Sequence, residues 1–285
     1  MFRISKELKL KIFSSAKINL NLTVNTEIIQ DLHTLSSLMI PISLYDEIKI
    51  REIEDDKDII EFHSEVPINE NSTIHKSLQY LREENDFKQR FHITVHKNIP
   101  IEAGLGGGSS DAGSIIKFLS TKYKLQTPNL IKIANSIGSD VPFFIDGLAA
   151  TVSGFGEILH PINLEEPMHL LIATPYEKLS TARVFQEFDN QIDTHHTEFS
   201  IHNGIEIKNN LWKPAFTLEP KLLDHKNYLE SVTNKEFIMS GSGTTLFCIG
   251  DEKDLISQKQ NIDIKRFRLV ALTKKIDCSL LQEEH

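Results

Sequence analysis

Residues 99–113 read Ile-Pro-Ile-Glu-Ala-Gly-Leu-Gly-Gly-Gly-Ser-Ser-Asp-Ala-Gly, and no other stretch constrains the fold so tightly. Four of the five residues from Gly104 to Gly108 are glycine, which opens left-handed backbone conformations and leaves no Cβ between N–H groups and a ligand. Phe91, Ile93 and Val95 alternate with polar residues ahead of the loop, the period of a strand, and residues 114–123 behind it read as a helix. A strand, a glycine loop and a helix beginning at Ser109–Ser110 aim free N–H groups and the positive end of a helix dipole at one place. That is an anion site, and phosphate is its usual anion. A ligand-free turn is the plainer alternative, but a turn needs neither four glycines nor a hydroxyl pair at a helix start.

The loop fits neither common phosphate motif. No Lys-Ser or Lys-Thr closes it, as a Walker loop requires, and counting Gly-x-Gly-x-x-Gly from Gly104 places Ser109 at the third glycine. If the glycines cradle phosphate, a branched Cβ at Gly107 would fill the space meant for it.

Along residues 12–24, Ile18, Leu20, Leu22 and Val24 alternate with Lys17, Asn19, Asn21 and Thr23, so a strand buries one face and projects Lys17 and Asn19 together from the other. Taken alone, that second face reads as solvated. Pro128 opens a helix that Gly138 closes. Asp140 stands directly before the apolar run 141–145, either capping a helix or held at a core edge for chemistry, and capping is the simpler of the two. Beyond Gly154-Phe155-Gly156 strands and helices alternate in an α+β pattern, with a helix at 180–188, a polar loop at 189–203 and a helix at 218–232. Ser240-Gly241-Ser242-Gly243-Thr244-Thr245 joins two strand-like runs, as a hairpin turn or as a second backbone surface that approaches an anionic substrate.

With 285 residues there is room for two domains. A net charge of −9 speaks against a general nucleic-acid partner. No apolar run is long enough to span a bilayer, and charges scattered through residues 1–11 leave no signal peptide, so neither a membrane partner nor export is expected. Cys248 and Cys278 have no metal-type spacing and read as reduced thiols of a cytoplasmic protein. None of the 12 histidines falls in a His-Glu-x-x-His pattern, so no metal site is expected beyond a hydroxyl contact from Ser110 to a phosphate-bound ion.

Ala16-Lys17-Ile18-Asn19-Leu20, Pro100 to Ala112, Gly138-Ser139-Asp140-Val141-Pro142-Phe143-Phe144 and Ser240 to Phe247 stand in order, and the set resembles the GHMP small-molecule kinase superfamily over residues 15–248. The first and third segments look more like the members that act on a cytidylyl methylerythritol, in non-mevalonate isoprenoid synthesis, than like mevalonate or homoserine kinases. The resemblance implies a two-domain α+β fold, with a ribosomal protein S5 domain 2-like ATP-binding domain over 1–155 and a ferredoxin-like domain over 156–285 that completes the substrate cleft. It implies phosphoryl transfer from ATP, with Mg²⁺, to the 2-hydroxyl of the cytidylyl polyol, in a monomer or homodimer. Lys17 and Asp140 match the catalytic pair, Asp140 accepting the hydroxyl proton and Lys17 stabilising the alkoxide and equatorial oxygens. ATP would be held by Lys97, Pro100, Ala103, Gly104, Leu105, Gly106, Gly107, Gly108, Ser109 and Ser110. Substrate would meet Asn19, Leu32, His33, Asp140, Gly241, Ser242, Gly243 and Phe185, the last packing on the cytosine.

Two positions depart from the family pattern. An aromatic usually stands at Leu32 and sandwiches the cytosine opposite Phe185, whereas leucine offers apolar contact without a stacking quadrupole. Gly113 replaces the usual alanine and is expected to loosen the first helical turn. The rival readings are a kinase for another small alcohol, which Leu32 favours, and a nucleotide-binding sensor without catalysis. A sensor needs no base, so Lys17, Asp140 and the loop together speak against it.

Overall fold

The structure is a computed structural model that describes residues 10–29, 32–65, 67–68, 71–125, 128–165, 167–191, 199–278 and 280–284. The alternating segment is part of β1 (Leu10–Ile29), which pairs antiparallel with β2 (Leu32–Ile53). Then come β3 (Ile59–His63), α1 (Thr73–Glu84), β4 (Arg90–His96), α2 (Gly107–Tyr123), α3 (Pro128–Ile137), α4 (Val141–Asp146) and β5 (Ala150–Ser153). The later elements are β6 (Ile158–Pro161), β7 (His169–Pro175), α5 (Thr181–Asn190), β8 (Phe199–His202), β9 (Ile205–Asn209), α6 (Trp212–Leu218) and α7 (Lys221–Thr233). β10 (Ile238–Met239), β11 (Leu246–Gly250), α8 (Glu252–Lys259), β12 (Phe267–Lys274) and β13 (Leu280–Glu284) follow.

Among the described residues these strands form two sheets. The larger runs β3-β4-β2-β1-β9-β8, with β13 beside β1 and β5 between β2 and β6; the smaller runs β10-β11-β7-β12. β6, β8, β9 and β13 therefore return from beyond residue 155 to the sheet that the first part of the chain builds.

One face of the larger sheet, including Ile12, Ile48, Phe91, Ile93 and Val95, is buried under Ile74 and Leu78 of α1, Ile115 and Leu119 of α2, Ile133 of α3 and Val141 of α4. The smaller sheet buries Leu171, Ala173 and Leu246 on one side against Phe188 of α5, Ala215 of α6, Leu229 of α7 and Leu255 of α8. On its other side Leu170, Ile172 and Phe247 meet Ala16, Ile18 and Leu20 of β1 and Leu105 of the glycine loop. The cleft lies along this seam.

Three local readings change. The helix expected over 218–232 is two helices, because Pro220 lacks an N–H and cannot continue α6, yet its fixed φ suits the start of α7. The polar loop expected over 189–203 includes the end of α5 and all of β8, and residues 192–198 lie outside the described residues. Gly113 does more than loosen a turn: a Cβ there would sit 2.7 Å from the Phe144 Cβ and 3.1 Å from the Val141 carbonyl oxygen, so its absence lets α2 and α4 touch.

Candidate active site

Lys17 and Asn19 are 4% and 5% exposed, so the polar face of β1 is not a solvated face. Its second cover comes from the Ser240–Gly243 turn, an approach that alternation alone does not reveal. Lys17 Nζ donates to Asn19 Oδ1 and stands 3.5 Å from Asp140 Oδ2. Asn19 Nδ2 donates to Ser37 Oγ at 2.8 Å, which orients the amide. The backbone N–H of Lys17 donates to the Leu105 carbonyl at 3.0 Å, tying the strand to the loop. Asp140 occupies the N-cap position of α4 but makes no side-chain capping bond, so its carboxylate is left for Lys17 and the cleft. The simpler capping role is therefore not the one it plays.

Gly104 (φ 75°) and Gly106 (φ 71°) take the left-handed conformation, and α2 starts at Gly107, two residues earlier than expected. Thr73 Oγ1 at the start of α1 donates to the Gly108 carbonyl at 2.7 Å and braces the loop from its open side. Against its other side lies the β10–β11 hairpin. Ser240 Oγ donates to the Gly104 carbonyl at 3.1 Å and accepts the Asn19 N–H at 3.3 Å, while the Thr245 N–H donates to the Ala103 carbonyl at 3.2 Å. A Cβ on Gly241 would lie 3.3 Å from Asn19 Oδ1 and 3.4 Å from Lys17 Nζ. The segment is a hairpin turn, and its backbone lies close to Lys17 and Asn19.

A cavity of about 730 Å³ runs through these parts. Pro100, Ala103, Gly104, Gly106, Gly107, Gly108 and Ser109 line it, as do Lys17, Asn19, Asp140, Gly241, Ser242, Gly243 and Phe185. Leu105 instead points into the core, and Ser110 is fully buried with no partner for its Oγ. A Cβ at Gly107 would meet Ile99 Cγ2 at 2.9 Å and Lys97 Nζ at 3.3 Å, two residues that line the same cavity. His33 is engaged within the protein, Nε2 lying 2.6 Å from Asp189 Oδ1 and Nδ1 2.7 Å from the Asn25 carbonyl oxygen. Its ring centroid is 6.3 Å from that of Phe185. Asp31 and the side chain of Leu32 lie outside the described residues.

Lys97, expected to meet ATP, also lines the cavity, and it bonds Asp46 and, at 2.6 Å, Asp111. Its side chain is 5% exposed. Asp46 Oδ1 also accepts the N–H groups of Asn98 and Ile99, at 2.6 and 2.8 Å, and Ser14 Oγ donates to Asp111 Oδ1 at 2.7 Å. The three side chains pin the strand exit beneath the loop. Burial, followed by the charge of Asp111, pushes the Asp46 carboxyl up from 3.8 to about 7, while the two carboxylates raise Lys97 against its own burial. Between 3.8 and about 7 the native Asp46 is therefore more protonated than the unfolded aspartate, and this contribution to stability is lost as the pH rises through about 7. Asp111→Asn removes the like charge while keeping hydrogen-bonding groups toward Ser14 and Lys97. In thermal melts between about pH 5 and pH 8.5, the wild type is expected to lose stability relative to this variant as the pH rises. A constant difference across the range would refute the assignment.

Nothing in the local sequence marks Thr73, Asp46, Asp111 or Asn209 as parts of the site. Asn71-Ser72-Thr73 is a run of N-cap residue types, the one local signal near Thr73; the carboxylates and Asn209 reach their partners only through the fold. Among the described residues no group of three or more His, Cys, Asp or Glu could hold a metal ion.

A glycine loop, a buried lysine and an uncapped aspartate facing one cleft, on two sheets joined by a shared core, define a small-molecule phosphotransferase. The family profile of the GHMP kinases N terminal domain matches residues 72–148, which include the loop and Asp140. The chain is 32% identical, over 96% of its length and 98% of the relative's, to 4-diphosphocytidyl-2-C-methyl-D-erythritol kinase of Fusobacterium nucleatum subsp. nucleatum. It is 33% identical to the enzyme of the same name from Alkaliphilus metalliredigens, over 86% of this chain and 88% of the relative. A crystal structure of 4-(cytidine 5'-diphospho)-2C-methyl-D-erythritol kinase superposes with a TM-score of 0.74 at 25% identity, covering 93% of this chain and 99% of that one. A mevalonate kinase crystal structure, at 17% identity and a TM-score of 0.57 over 94% of this chain and 99% of that one, shares the fold. The chain belongs to the GHMP kinase family. It is a kinase of that type, transferring phosphoryl groups from ATP to a small alcohol. No helix among the described residues is long and apolar enough to cross a membrane.

Proposed function

We propose that this kinase phosphorylates the 2-hydroxyl of 4-(cytidine 5'-diphospho)-2-C-methyl-D-erythritol. Residues 1–155 would carry ATP, and residues 156–285 would complete the acceptor side of the cleft. The observation that carries the reading is the single cavity that passes from the glycine loop, beside Lys17 and Asp140, to Phe185. The names of the similar proteins support the choice of acceptor.

In this reading the N–H groups at the start of α2 hold the phosphates. Asp140 accepts the acceptor hydroxyl proton as that oxygen bonds to the γ-phosphorus and the bond to the ADP oxygen breaks. Lys17, held by Asn19, offsets charge on the transferring group. Magnesium, when bound, neutralises phosphate charge. The Ser110 Oγ, buried without a partner, is its candidate protein contact.

ADP release with the cytidylyl compound, mevalonate and homoserine tests the reading. The cytidylyl compound is expected to exceed the others by about a hundredfold or more in kcat/KM, because buried polar recognition rejects acceptors that lack its groups. A preference for another alcohol would move the conclusion to the reading that Leu32 favours. Phe185→Ala is expected to weaken acceptor binding much more than Leu32→Tyr changes it. Leu32→Tyr should tighten binding by up to about tenfold, the equivalent of one aromatic stack, with kcat nearly unchanged. Competitive titration with a cytidine diphosphate checks both.

A further inference from the structure

Asn209 ends β9 and is 4% exposed. Its amide Nδ2 donates to two carbonyls, those of Met239 and Gly241, each at 2.7 Å, and its Oδ1 accepts the Leu211 N–H at 2.9 Å. Both donors and the acceptor are therefore used, and a side chain with this many buried bonds tolerates few replacements. β9 runs parallel to β1 with Asn209 opposite Leu22, so the residue belongs to the sheet that carries Lys17 and Asn19. The carbonyls it grips belong to the β10–β11 hairpin of the other sheet.

The turn has internal bonds, from the Ser240 N–H to the Thr245 carbonyl at 2.9 Å and from the Gly243 N–H to the Ser240 carbonyl at 3.0 Å. These preserve its shape but not its height above the cleft. Ser240 is tied to the glycine loop through its hydroxyl, and Gly241, where a Cβ would lie 3.4 Å from Lys17 Nζ, is tied through Asn209.

We propose that Asn209 is a positioning residue for the acceptor alcohol. By holding two carbonyls of the hairpin it sets the height of Gly241–Gly243 over Lys17 and Asn19, and so the width of the acceptor half of the cleft. The nucleotide half shares the hairpin's bonds to Gly104 and Ala103 but has further braces of its own in Thr73 and the Lys97 cluster. The proposal rests on the reading that this turn faces the acceptor.

Asn209→Asp keeps the shape and the bond from Leu211 but sets a carboxylate against two carbonyl oxygens. Asn209→Ser is smaller and keeps one donor, and it carries the comparison should the aspartate variant fail to fold. The measurements are acceptor KM, ATP affinity by calorimetry, and hydrogen exchange over residues 239–245 and 104–110. Acceptor KM is expected to rise about 10- to 100-fold in Asn209→Asp and less in Asn209→Ser, the loss of one or two buried bonds. ATP affinity should fall by less than about threefold, because the loop keeps its braces at Thr73 and Lys97. Exchange should quicken over 239–245 and not over 104–110. Equal losses for ATP and acceptor, or unchanged exchange over 239–245, would overturn the proposal. If the wild type does not turn over the cytidylyl compound, the proposed reaction falls, and the exchange measurement still decides the role of Asn209.

Discussion

Asp140→Asn is expected to lower turnover by about two to four orders of magnitude, the usual loss when a general base is removed. The fold should survive, because Asp140 makes no capping bond to α4, asparagine is an equally good N-cap residue, and Lys17 keeps its bond to Asn19. An amide in the same place offers an oxygen but cannot accept the hydroxyl proton. ATP affinity should change little, since the carboxylate faces Lys17 rather than forming the loop. Single-turnover rates beside an unchanged melting curve are the check, and a fall of less than about tenfold would rule out Asp140 as the base.

Gly104→Ala is expected to be nearly as damaging, by a different route. The added Cβ would lie 2.1 Å from the Ser240 backbone oxygen, and φ is 75°. The left-handed conformation alone costs roughly 1–2 kcal/mol for a residue with a Cβ. The neighbour is backbone and cannot rotate away, so the hairpin must lift from the loop. That displacement would take Ser240 from Gly104 and Asn19 and draw Gly241 away from Lys17. We expect kcat/KM for the acceptor to fall by about a hundredfold or more, with a lower melting temperature. Gly108→Ala is the control: its Cβ would meet only Thr73 Oγ1, at 3.7 Å. Wild-type kcat/KM in Gly104→Ala would show that the contact between loop and hairpin is dispensable.

The contrast between these glycines shows what could be read in the sequence. Their crowding between a strand and a helix announces an anion loop, and the alternation around Lys17 and Asn19 places both on one face. Which glycine touches what could not be read, because the neighbours of Gly104 and Gly113 come from elements that sequence order does not align with them. Lys97 makes the same point. Asp46, 51 residues away, gives its ammonium a structural duty that an isolated lysine beside a glycine loop does not suggest. Leu218 to Val232 looked like one helix because apolar spacing persists across Glu219-Pro220, where only the proline marks the break. β8 went unseen because four residues beside a polar stretch carry too little periodic pattern.

The return of β13 to the first sheet bears on how the protein is made. Leu10 to Ser14 of β1 pair with Glu284 to Leu280, and Asn21 and Leu22 with Lys208 and Asn209. The strand that bears Lys17 is therefore made well before the neighbour it pairs with at Leu280–Glu284. Pairing so remote in sequence must wait for the intervening chain, and until then an apolar strand lies with one edge open. A nascent chain halted after β11 would hold every group assigned to phosphoryl transfer and still lack the strand that closes that edge.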